Sequence, residues 1–247
     1  MKDLYKKFES DGYVIIDKFF SESDLGEFEA ALQKVISSEG VDIYKDRSGN
    51  LRRLEHFTRK NRFFLKLDEQ IRDFLKDISG FEYQLFKDKI NFKPSGGEGF
   101  YAHYDGVFRF DDGIATRDGW YEYADAFVNV LIAIDDFTIE NGALEVARIH
   151  KGSFEELLQN TKKNGSPDLI DSVVSKCQFI PALVKKGGIV IFSNLCPHQS
   201  GPNKSSAPRG SIYFTYNDRS YGDNYERYFV DKKNSSNPFK ALTGEIK

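Results

Sequence analysis

His103, Asp105 and His198 carry the chemistry that this sequence announces most directly. Two imidazoles and one carboxylate are the donor set of a facial-triad non-haem Fe(II) site, which leaves coordination positions open for substrate and oxygen. The His-x-Asp spacing has a geometric reason. Residues i and i+2 of an extended strand point to the same side, so His103 and Asp105 can reach one ion while Tyr104 faces away. The third donor comes from a distant strand, which a barrel or sandwich brings to the same interior. Either histidine alone reads as an ordinary, partly buried imidazole; the three together predict an oxygenase.

Ser200 lies two positions beyond His198, on the same side if that stretch is extended, and Arg209 opens the run Arg-Gly-Ser-Ile-Tyr-Phe-Thr-Tyr. A guanidinium inside an enzyme barrel needs an anion, and its planar fork suits a carboxylate through two parallel hydrogen bonds, to which Ser200 can add a hydroxyl donor. A lone arginine at a strand start more often pairs with a structural Asp or Glu, but beside the three ligand candidates that reading becomes the weaker one. Asn129 is the one amide in the apolar run 126–134, which reads as a buried strand. A buried amide needs partners, either neighbouring backbone or a ligand.

Four segments then stand in a telling order: Asn91-Phe92-Lys93-Pro94; Gly99 through Asp105; Ile134-Asp135-Asp136 followed by Glu140 through Val146; and His198-Gln199-Ser200-Gly201-Pro202-Asn203 with Arg209. Over about Asn91 to Asn217 they resemble the phytanoyl-CoA dioxygenase-like Fe(II)/2-oxoglutarate oxygenases. The resemblance implies an enzyme that uses Fe(II), 2-oxoglutarate and O2 to hydroxylate a C–H bond, with succinate and CO2 as co-products. It implies iron ligation by His103, Asp105 and His198, and a hold on the distal carboxylate of 2-oxoglutarate by Arg209 and Ser200. Asn91 and Asn129 match positions of further polar contacts to the same cosubstrate.

Gly96 through Phe100, Tyr213 through Asn217, Tyr221 through Asn224 and Tyr228 through Lys233 look closest to a bacterial branch. That branch hydroxylates the carbon beside phosphorus in small phosphonates such as 2-aminoethylphosphonate. A small polar substrate is therefore implied, with Lys87, Lys89, Lys93 and Arg109 as cationic candidates to hold it. Lys87, Lys89, Asn91 and Lys93 share one parity on a strand, which fits a cavity lining and a solvated face equally. A compatible solute, an amino acid or a natural-product intermediate would keep the chemistry and change the substrate. A cupin-like protein that binds metal and ligand without oxygenation is a reading of another class; it has no need for both an open iron site and a carboxylate clamp. Residues 106–125 match no pattern and fall where relatives place substrate-facing loops.

These side chains need a scaffold, and the fold class expected is mainly β with helices (α+β): a double-stranded β-helix of jelly-roll or cupin type with helices packed outside. At 247 residues, 40% hydrophobic and 15% aromatic, the chain suits one domain with one large core. The expected division is a mostly helical lead-in over 1–82, the jelly-roll core over 83–217 and a tail over 218–247 packed on the barrel mouth. Helices are predicted over 2–9, from Ser21 to a stop at Gly40, and from about Asp68 to Gly80. Strands are predicted at 13–16, 83–92, 126–134, 143–147, 188–193 and 210–217. Segment 151–175 reads as a lid or as a passive connection.

A formal net charge of −3 gives no pull toward nucleic acid or an anionic membrane. No apolar run approaches a membrane span and the first residues lack a signal-peptide core, which predicts a cytoplasmic protein. Cys177 and Cys196 form neither a disulfide framework nor a metal motif, and His56 and His150 stand outside the ligand set. Nothing selects between a monomer and a homo-oligomer.

Overall fold

Runs of Phe, Tyr, Ile and Val favour the pleated, half-buried surface of a sheet, and here they build two. The computed structural model describes residues 2–46 and 49–235. In chain order its strands are β1 (Tyr13–Ile16), β2 (Asp42–Lys45), β3 (Leu51–Glu55), β4 (Tyr83–Lys93), β5 (Phe100–His103), β6 (Phe110–Asp111), β7 (Thr116–Arg117), β8 (Phe127–Ala133), β9 (Leu144–Val146), β10 (Ile180–Pro181), β11 (Ile189–Ser193), β12 (His198–Ser200) and β13 (Arg209–Asp218). Among the described residues they form a larger sheet, β1-β11-β8-β13-β4-β3-β2, a smaller one, β10-β9-β12-β5, and the hairpin β6-β7. The helices are α1 (Lys2–Asp11), α2 (Glu22–Leu25), α3 (Phe28–Ile36), α4 (Arg62–Ser79), α5 (Phe154–Leu158), α6 (Asp171–Val174) and α7 (Tyr225–Asn234).

Alternation along the strands sends each side chain to one of two interiors. On the outer face of the larger sheet, Phe86 and Ile90 of β4, Val130 and Ile132 of β8, and Ile212 and Phe214 of β13 pack against Val35 of α3 and Phe64, Leu67 and Ile71 of α4. On its inner face, Leu131, Ala133, Val190 and Phe192 meet Leu144 and Val146 of the smaller sheet. The architecture is the expected sandwich of mostly antiparallel sheets with helices outside. No helix among the described residues is long and apolar enough to cross a membrane.

Three local readings change. The helix expected from Ser21 to Gly40 is two helices: Ser21 and Asp24 form a capping box on α2, the chain turns at Gly26, and α3 ends at Ile36, in keeping with the low helix propensity of glycine. α4 starts at Arg62 rather than near Asp68, because Asn61 accepts the Phe63 N–H at 2.9 Å and caps it. At its other end Gly80 takes φ 78°, the left-handed stop that glycine allows. The front of the chain also supplies β2 and β3, hidden in the sequence because Leu-Arg-Arg-Leu-Glu reads as a solvated run; Arg53 and Glu55 are in fact buried.

Candidate active site

His103 ends β5 and His198 begins β12, and these strands pair with the two histidines opposite each other, ring centroids 4.1 Å apart. Asp105 follows as the chain leaves the sheet. Its N–H donates to the Asn194 carbonyl at 3.0 Å, and the Asn194 amide donates back to the Asp105 carbonyl at 3.2 Å, which fixes the backbone. Gly106 then turns with φ 79°, and Trp120 lies against it so closely that a Cβ would sit 2.6 Å from the indole. The donor atoms of His103, Asp105 and His198 all lie within 4.8 Å of one another.

The hydrogen bonding around this cluster suits a metal. Nδ1 of His103 lies 2.7 Å from the Tyr101 carbonyl and Nδ1 of His198 lies 3.0 Å from the Cys196 carbonyl. Each Nδ1–H donates to a carbonyl, which orients the ring and leaves the Nε2 lone pair free for an ion. Burial, reinforced by His103, drives the His198 imidazole down to about 3, so it stays neutral as a ligand must be. Burial alone would raise the Asp105 carboxyl, but His198, Lys89, His103 and Lys87 outweigh it and hold the group at about 2. Two imidazoles with Nε2 turned to the cluster and one carboxylate result, and the donor set fits a divalent iron.

The cluster opens on a cavity of about 1250 Å³ between the sheets. Its opposite wall is the inner face of the larger sheet, where Lys87, Lys89, Asn91 and Lys93 of β4 stand beside Arg209, Ser211 and Tyr213 of β13. The shared parity of the β4 residues therefore marks a cavity lining and not a solvated face. Lys93 donates to Ser200 Oγ at 2.8 Å and to the carbonyls of Gly201 and Gly142 at 2.5 and 3.2 Å. Ser200 accepts from that ammonium, so its own proton is free to donate to a ligand. Arg209, only 4% exposed, donates to the Gly142 carbonyl at 2.9 Å and lies 4.2 Å over the Phe137 ring, while its Nε–H has no partner. No carboxylate of the chain pairs with it among the described residues. Asn91 accepts from Arg53 Nε at 2.8 Å on the same wall.

Other expected residues lie elsewhere. Asn129 shares the inner face but does not reach the cavity wall: its oxygen accepts from Thr215 at 2.7 Å and its Nδ2 has no partner. Arg109 is not on the wall either, since Asp118 and Glu155 hold its guanidinium. His56 is structural, with its ring stacked 4.4 Å from Phe229 and its Nε2 2.9 Å from Glu226. His150 bonds the Tyr104 hydroxyl. Cys196 packs in the core, where burial pushes its thiol up to about 12.

Three further walls come from regions expected near the site, although none of their residues was singled out in the sequence. Phe108, Trp120 and Tyr123 come from the unmatched stretch 106–125. Lys162 and Asp168 come from segment 151–175, which is tied to the site by Leu169 N–H to the Ala102 carbonyl at 2.8 Å. α7 supplies Arg227, Tyr228 and Lys232. The tail was expected on the barrel mouth; what fixes α7 there is the pairing of Lys232 with the buried Glu55 of β3, which no sequence spacing reveals. Expected residues 236–247 of the tail lie outside the described residues.

A family model described as phytanoyl-CoA dioxygenase matches residues 8–211. A methylphosphonate hydroxylase of Gimesia maris is 32% identical over 162 residues, covering 65% of this chain and 55% of that protein. A 2-aminoethylphosphonate dioxygenase of an uncultured bacterium is 29% identical over 170 residues, covering 69% and 59%. The chain thus spans less than two thirds of the length of either relative. Among solved structures, EctD from S. alaskensis with 2-oxoglutarate and 5-hydroxyectoine superposes with a TM-score of 0.69 at 16% identity, over 90% of this chain and 77% of that one, a likeness of fold.

Proposed function

The chain belongs to the phytanoyl-CoA dioxygenase family, and from that premise we propose that it is an Fe(II)- and 2-oxoglutarate-dependent dioxygenase hydroxylating a C–H bond of a small polar molecule, a phosphonate first among the candidates. One observation carries the reading: three metal donors and a buried, anion-free Arg209 face the same cavity. His103, Asp105 and His198 would hold the iron. Arg209 and the free proton of Ser200 would hold the distal carboxylate of 2-oxoglutarate, with Asn91 as a further contact. Bound iron and 2-oxoglutarate would supply the electrons that activate O2 for oxidation of the C–H bond. The chain supplies placement: Nδ1 anchors aim the imidazoles and Lys93 orients the Ser200 hydroxyl.

A phosphonate is supported by the two named relatives and by the cationic wall of β4. A compatible solute of the ectoine type is the second reading, supported by an ectoine dioxygenase of Stutzerimonas stutzeri that is 24% identical over 238 residues. The free thiols of Cys177 and Cys196 suit a reducing cytoplasm. The test is an anaerobic titration of Fe(II)-loaded protein with 2-oxoglutarate, followed by O2 and either methylphosphonate, 2-aminoethylphosphonate or ectoine. The expected result is a weak visible charge-transfer band, then succinate and a hydroxylated phosphonate by phosphorus NMR. Product from ectoine alone selects the second reading, and absence of the band removes the oxygenase.

A further inference from the structure

Lys87 and Lys89 are amines without a hydrogen-bonding use in the fold, and burial pulls both below the ordinary lysine range. Lys87 is only 5% exposed, and neither ammonium donates a hydrogen bond to any described residue. Each sits over aromatic rings instead: Lys87 Nζ is 4.7 Å from Trp120 and 5.3 Å from Tyr228, and Lys89 Nζ is 4.4 Å from Tyr213. The carboxylates nearby are committed. Glu55 is taken by Lys232 and Arg53. Asp88 points to the outer face, where the N–H groups of His56, Phe57 and Thr58 and the Tyr225 hydroxyl saturate it. Asp105 belongs to the metal cluster. Burying a cation without a partner is costly and favours the neutral amine, so two unpaired lysines inside a cavity form a place where an anion would restore both charges.

Cosubstrate does not answer that need. Arg209 pairs with Lys93 across β13 and β4, at the far end of the wall. Lys89 lies four residues back along the strand, about 13 Å at roughly 3.3 Å per residue, and Lys87 lies farther still. The distal carboxylate of 2-oxoglutarate would face Arg209 and Lys93, and its other carboxylate with Asp105 would offset a divalent ion, so neither reaches Lys87 and Lys89.

We propose that Lys87 and Lys89 form the substrate's anion subsite, seating a tetrahedral phosphonate head of up to two negative charges so that the carbon beside phosphorus faces the metal cluster. This deepens the iron and 2-oxoglutarate reading and rests on it. Aromatic rings behind both ammoniums hold them without spending their donors, which leaves those donors for the phosphonate oxygens.

The test is calorimetric titration with methylphosphonate, without oxygen, of the Fe(II)- and 2-oxoglutarate-loaded protein and of its Lys87→Met, Lys89→Met and double variants. Affinity falls roughly tenfold for each lysine removed, the chelate band of 2-oxoglutarate is unchanged, and the thermal midpoint rises because methionine keeps the volume and drops the unpaired charge. Acetate, singly charged and planar, binds all four proteins weakly. Unchanged methylphosphonate affinity in the double variant overturns the subsite, and so does loss of the chelate band, which would assign the lysines to cosubstrate. If the natural sequence forms no chelate band, the iron reading fails on its own, and the same titration without iron decides the subsite: binding lost in the double variant supports it, and no binding to the natural sequence ends it.

Discussion

The two sheets are built to opposite specifications. The larger one has long strands, with β4 and β13 paired over ten positions and interrupted by one irregularity, and helices back its outer face. The smaller one has strands of two to four residues and loses register between His198 and Ser200. The cations Lys87, Lys89, Lys93 and Arg209 stand on the first, and the candidate metal donors stand on or just beyond the second. A regular ladder with a packed back can hold like charges side by side against their repulsion. Short strands end quickly, and their ends are where the backbone can turn and aim a donor, as it does after His103.

If that division of labour holds, removing a donor from the smaller sheet breaks chemistry and spares the fold. His103→Ala or Asp105→Ala should abolish iron binding and 2-oxoglutarate-dependent succinate release, with far-ultraviolet dichroism unchanged. Normal turnover in either variant would sink the metal assignment and with it the contrast between the sheets.

The reverse is expected on the outer face of β4. Asp88 accepts backbone N–H bonds from His56 at 2.6 Å and Thr58 at 2.7 Å, as well as the Tyr225 hydroxyl at 2.5 Å, so one carboxylate ties β4 to the loop after β3 and to α7. Asp88→Ala leaves those buried donors unpaired and should cost about 3 kcal/mol, a fall of roughly 6–12 °C in Tm for a chain of this size. Turnover of the folded fraction, measured well below the midpoint, should stay near normal. A Tm shift within experimental scatter would show that the outer face is not the structural one.

Arg209→Ala tests the inner face of the same sheet. Truncating one partner of a buried charge pair costs about 2 kcal/mol or more, so 2-oxoglutarate affinity should weaken roughly thirtyfold while the KM for substrate changes little. Equal losses in both would make Arg209 a general support of the wall and not a clamp.

The same contrast explains what the sequence could show. Strands of the larger sheet were legible because apolar residues recur along them, and the 83–92 and 210–217 runs match β4 and β13 to within a residue. β2 and β3 were not, since Arg53 and Glu55 are charged, and the contacts that bury them, such as Lys232 on Glu55, exist only after folding. The residue types of His103, Asp105, His198, Ser200 and Arg209 pointed to one site, and the structure brings them to one cavity. Asn129 and Arg109 had suitable types and lie off its wall, because type says nothing about which neighbour claims a side chain first. The grip of Lys93 on Ser200 spans 107 positions of chain and has no local signature.

That grip gives the smallest effect and the most discriminating one. Burial, helped by Arg209 and Arg52, pushes the Lys93 ammonium down to about 7. Below that pH Lys93 is charged and orients Ser200; above it the proton is lost, so 2-oxoglutarate affinity should fall as pH rises through about 7, by roughly tenfold if one charge-assisted bond is at stake. Stability should move the other way. The folded chain holds fewer protons at Lys93 than the unfolded chain does between about 7 and the ordinary lysine value of about 10.5, and a state that binds fewer protons gains stability as pH rises across that window. Chelate-band titrations and thermal midpoints at pH 6, 7 and 8 read the two trends separately. Lys93→Met should flatten the affinity trend and only reduce the stability trend, because burial holds Lys89 at about 7 as well; an affinity that stays level with pH in the natural sequence would leave the clamp to Arg209 and Ser200 alone.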